Sequence, residues 1–147
     1  MHPHQAHDDL AAALRSAAIA ALAALLMLDL GMFASMLGGV EPHPPGARGP
    51  FIAATAAMAV ATLWQVVARQ RAAIPLLALT ALAFLPGVGP HKFLTEAAAR
   101  ELAPVILVGT CSLVVLLWTA VRLHRVGRAT QTMQSEASTV GAASPGR

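Results

Sequence analysis

The chain has 147 residues, of which 56% are hydrophobic and 12% charged, and its formal net charge is +3. A soluble domain is about 45–50% apolar and about 25% charged, so this chain would leave large apolar patches facing water. The composition excludes a disordered chain and a disulfide-rich secreted domain, disfavours a soluble enzyme, and points to an integral membrane protein whose arginines flank its spans.

The first segment, residues 1–14, carries His2, His4, His7, Asp8 and Asp9. It has the composition of a weak metal-binding tract, but no spacing holds these residues to one helical face. Four apolar blocks follow, at about Ser16–Leu37, Phe51–Ala68, Ala72–Val88 and Leu102–Val121. A membrane helix needs about 17–25 apolar residues, and the blocks meet or approach that length. The first is read as a retained span, not a cleaved signal. Its leader is long and acidic, Asp29 interrupts its apolar core, and no A-x-A site follows.

The connector Arg69-Gln70-Arg71 is short enough only for a tight helical hairpin. The Gly/Pro-rich stretch from Gly38 to Pro50 is read as irregular. After Pro90, Thr95 can cap a helix in which Glu96 and Arg100 pair at i,i+4. The predicted fold is all-α: a polytopic four-helix bundle over residues 15–125, followed by a disordered tail, 126–147, made largely of small and polar residues. Arg15, Arg69, Arg71, Arg122, Arg125, Arg128 and Arg147 fall on one side of this layout, and Arg48, Lys92 and Arg100 on the other. The excess predicts that both termini are cytoplasmic, in a bacterial-type inner membrane.

Asp29 is the most informative residue. An ionisable side chain within a span costs at least about 2.5–3.5 kcal/mol and normally faces the bundle interior or water. Its helical face continues through Leu25, Met32 and Met36. Interpolated depth brings it level with Thr80, Thr110 and Cys111 on the third and fourth spans, which makes Thr80 and Thr110 its expected partners. The carboxyl could couple protons, bind a metal, or pair structurally as a neutral acid. Met32, Met36, His43 and His91 gather toward the outer side, where thioether and imidazole ligands could take Cu(I); packing methionines and solvated loop histidines are the plainer reading. Gly31, Ser35 and Gly39 form a small-residue row at four-residue spacing, and Ala53, Ala57 and Ala61 form another. Such rows permit close helix packing within the chain or against a partner.

Cys111 is the lone cysteine, which removes intrachain disulfides and cysteine-based zinc sites. No apolar block contains a histidine, which argues against a haem held by paired intramembrane histidines. No phosphate-binding loop, HExxH or G-x-S-x-G motif occurs, and Asp29 and Cys111 are the candidate reactive groups within the blocks. HPPG at His43–Gly46, followed by Ala47, resembles the signature of the HPP family of four-span membrane proteins. The layout of four spans with a carboxylate in the first resembles that of the small multidrug transporters. Neither resemblance extends beyond these features, and neither assigns a family.

The sequence thus predicts a small, non-enzymatic accessory or interaction subunit of a larger membrane assembly. It would contact the lipid bilayer, other membrane subunits or its own copies, but not nucleic acid, and would need no cofactor. The alternative is a small transporter or copper-handling protein built on Asp29 and the outer Met and His residues. An enzyme acting on a lipid or quinone is a third reading.

Overall fold

A computed structural model describes the backbone of residues 3–40, 46–95 and 100–142, and the side chains of residues 5, 9–40, 46–94 and 100–128. Helix α1 spans Pro3–Gly38, α2 Gly49–Val67, α3 Ala73–Val88, α4 Lys92–Thr95 and α5 Ala103–Ala142; a single 3-10 turn, Gly46–Arg48, leads into α2. Four stretches are long and apolar enough to cross a membrane: Asp9–Gly38, Gly46–Val67, Ala73–Leu94 and Ala103–Arg128. The protein is an all-α, four-helix bundle of the polytopic membrane type. His43 and Glu96 lie outside the described residues, and with them the expected Glu96–Arg100 pair; of the expected tail, the backbone is described as helix to Ala142 and the side chains only to Arg128.

Prolines mark where the spans begin. Pro50, Pro75 and Pro104 each sit in the first turn of α2, α3 and α5. There the missing N–H has no intrahelical acceptor to lose. Two helix ends are closed by backbone bonds. Gly39 takes φ +63°, and the Val40 N–H donates to Ser35 O at 3.0 Å. At the end of α2, Arg69 takes φ 55°, its N–H reaches Val66 O at 3.2 Å, and the Gln70 N–H reaches Gln65 O at 3.0 Å. Both satisfy carbonyls that a helix end leaves bare, the second with an arginine where glycine is usual. The α2–α3 connector is the tight hairpin expected.

The helices form a ring in which α1 and α3 each pack on both α2 and α5. The buried positions alternate three and four residues apart. On α2 they are Ile52, Thr55, Ala59, Thr62 and Val66, and on α5 Ile106, Gly109, Leu113, Leu116 and Ala120. That 3–4 alternation is the seam of a left-handed supercoil. Leu22 and Leu25 of α1, Leu77 and Phe84 of α3 and Leu116 of α5 fill the centre. Lipid tails are as apolar as leucine, so contact between the helices rests on close packing. Small residues at the seams provide it: Gly109 lets the end of α3 come against α5, and a Cβ there would stand 2.6 Å from Val88 Cβ. Thr110 Oγ1 then donates to Val88 O at 3.3 Å, giving a partner to a carbonyl at the C-terminus of α3.

Candidate intramembrane polar site

Asp29 lies nine residues before the end of α1, about 14 Å along the helix from Gly38. It is 3% exposed. It continues the buried face of α1, after Leu14, Ala18, Leu22 and Leu25. Its partner is on α2: Thr55 Oγ1 lies 2.6 Å from Asp29 Oδ2 and donates to it. The same hydroxyl is 2.9 Å from Ile52 O and 3.1 Å from Phe51 O.

One hydroxyl proton thus faces three acceptors. If it goes to Asp29, the carboxylate is held by that single bond. If Asp29 is the neutral acid, it can donate to Thr55, which turns its own proton back to Ile52 O. The second arrangement satisfies one more acceptor.

The expectation that Asp29 pairs with Thr80 or Thr110 is corrected by this geometry. Thr80 faces Thr62 of α2, with the two hydroxyl oxygens 2.7 Å apart. Thr110 bonds to Val88 O. Cys111 is exposed on the outer surface of α5. Depth was the wrong criterion because several polar residues lie at similar levels. The azimuth set by the seam decides which of them meet. Thr55 and Thr62 stand one heptad apart on the α2 seam, as do Ser112 and Thr119 on α5. Ser112 donates to Val108 O at 2.8 Å. Thr119 Oγ1 is buried without a hydrogen-bond partner. Thr55 was the site residue missed, and its 3–4 register with Ile52, Ala59 and Thr62 was the available signal.

The proposed copper ligands have different surroundings. Met32 packs against the hydrophobic core. The Met36 methyl lies 3.2 Å from where a Cβ on Gly49 would stand. His91 is exposed in the turn after α3, with Nδ1 3.0 Å from the corresponding point on Gly89. Among the described residues no group of three or more His, Cys, Asp or Glu could hold a metal ion.

The small-residue rows look outward. Gly31 is exposed, with no atom within 4 Å of a Cβ built on it, and Ala53, Ala57 and Ala61 are exposed along α2. Ser35 Oγ donates to Met32 O at 2.9 Å within its own helix. Gly39 serves the end of α1 and makes no helix–helix contact through its α-carbon side: nothing lies within 4 Å of its Cβ position.

Compared with protein-family models, characterised proteins and solved structures, the chain matches none.

Proposed function

We propose that this protein is a non-enzymatic interaction subunit of a larger membrane assembly, and that it meets its partner through the outward face of α2. The observation that carries this reading is the exposure of Ala53, Ala57 and Ala61. Small residues at four-residue spacing let two helix backbones approach, and this chain makes its own bundle without using them. The six described arginines at the end where α1 begins and α5 leaves the bundle support placing that end in the cytoplasm of a bacterial-type inner membrane.

The test is the assembly state of the full chain in mild detergent. A stoichiometric complex should survive purification and be lost in Ala57→Leu, while the circular dichroism and melting temperature of the protein itself are unchanged. A complex that Ala57→Leu leaves intact would move the interface elsewhere, and a monomer recovered from native membranes under cross-linking would remove the reading.

A second reading rests on the buried Asp29–Thr55 pair: a proton-exchanging group in a small transporter. Proton-coupled flux in vesicles, lost in Asp29→Asn with the fold intact, would favour it.

A further inference from the structure

At the arginine-rich end of the bundle, α3 and α5 line an open groove of about 490 Å³. Its walls are Ile74, Pro75 and Ala78 of α3 and Ala120 and Val121 of α5, and His124 and Arg125 lie along the same lining. The apolar residues belong to the first turns of α3 and to the last apolar turns of α5. The basic residues follow one turn further along α5, away from the hydrocarbon. Arg71 precedes α3 at the same level, its carbonyl accepting from the Ile74 N–H at 3.4 Å.

The charge around this end is one-sided. The described side chains there include Arg15, Arg69, Arg71, Arg122, Arg125 and Arg128 against Asp9. The Arg122 guanidinium already sits over the Trp118 ring, 5.5 Å from its centroid. Arg125 lines the groove itself. An apolar cleft between two spans that ends in cationic and N–H donors at headgroup level has the form of a lipid site selective for anionic headgroups.

We propose that the α3–α5 groove binds one anionic diacyl phospholipid, with an acyl chain along Ile74, Ala78, Ala120 and Val121 and the headgroup phosphate against Arg125 and His124. Guanidinium suits this role because its planar fork can give two parallel N–H bonds to phosphate oxygens. The occupant must combine both chemistries: chains alone would ignore the arginine, and a free phosphate would leave the cleft unfilled.

Native mass spectrometry of the full-length protein, released from detergent with defined lipids, reads this directly. Dioleoyl phosphatidylglycerol should be retained over dioleoyl phosphatidylcholine. Arg125→Gln should weaken its retention about fivefold, the effect of removing one near-surface cation, without changing phosphatidylcholine binding. Ala78→Leu, which fills the cleft and leaves the charge, should reduce phosphatidylglycerol binding as well. A melting curve for each variant separates lost binding from lost folding, and Val121→Leu on the groove's exposed rim provides a milder filling variant should Ala78→Leu fail to fold. Equal retention of the two lipids would overturn the proposal. So would competition by glycerol phosphate as strong as by the lipid, which would reveal an anion site without a chain, or phosphatidylglycerol selectivity that survives both Arg125→Gln and groove filling.

Discussion

Gly109 on α5 and Val88 at the end of α3 approach so closely that no other residue type fits between the two helices: a Cβ on Gly109 would stand 2.6 Å from Val88 Cβ and 3.2 Å from Val88 O. The neighbouring atoms are a β-branched stem and backbone, and neither can swing aside. Gly109→Ala should therefore destabilise the bundle by about 1–3 kcal/mol, the usual cost of overpacking, read as a lower melting temperature in detergent. Gly31→Ala is the control. Nothing lies within 4 Å of that position, so the change should be neutral or stabilise by up to about 1 kcal/mol through helix propensity. Equal effects of the two substitutions would contradict the close contact.

The Asp29–Thr55 pair predicts a particular pattern of coupling. Thr55→Val leaves a buried carboxyl without its hydroxyl and should cost about 1–3 kcal/mol. Asp29→Asn keeps an oxygen acceptor and adds N–H donors, so it should change stability by less than about 1 kcal/mol. Removing both polar groups, as Asp29→Leu with Thr55→Val, should cost less than the sum of the single changes, because neither group is then stranded. Additive effects in this cycle would mean that the 2.6 Å contact contributes nothing.

How far the sequence reveals this molecule follows from these two sites. Apolar block length is a one-dimensional signal, set by bilayer thickness, so four blocks translate directly into four spanning helices. Asp29 was likewise conspicuous as a charge within such a block, and its face through Leu25 and Met32 follows from helical periodicity alone. Its partner was not legible from depth, which locates a residue along its helix but not around it. Reading Ile52, Thr55, Ala59, Thr62 and Val66 as one 3–4 seam would have turned Thr55 inward; an alanine-rich helix hides that seam, because its exposed positions are nearly as apolar as its buried ones. Gly109 was hidden for a related reason. A single glycine in an apolar run carries no pattern, and its role depends on where the end of α3 arrives.

Arg69 holds a left-handed conformation, φ 55°, that glycine adopts without a steric penalty. Arg69→Gly should stabilise the α2–α3 turn by about 1 kcal/mol, raising the melting temperature. If stability falls instead, the arginine side chain is holding the turn through contacts worth more than its backbone strain.

Orientation can be read chemically. In a Cys111→Ser background, Pro45→Cys should react with an impermeant thiol reagent from the periplasmic side, and Gln70→Cys from the cytoplasmic side. The reverse pattern would invert the topology.

The length of α3 has a consequence for the surrounding bilayer. Ala73–Val88 is 16 residues, about 24 Å of helix, set against a hydrocarbon core of about 30 Å. Gly89 turns to an extended ψ of 163° immediately afterwards, so the helix does not lengthen to meet that thickness, whereas α1 and α5 run well past their apolar stretches. The apolar stretch Ala73–Leu94 is therefore completed beyond α3 by the turn at Gly89 and by α4, not by one continuous helix. Adapting to a thicker bilayer, at fractions of a kcal/mol per Å, falls to that bent end of the span. In a thick bilayer the strain should accordingly fall first where α3 gives way to α4.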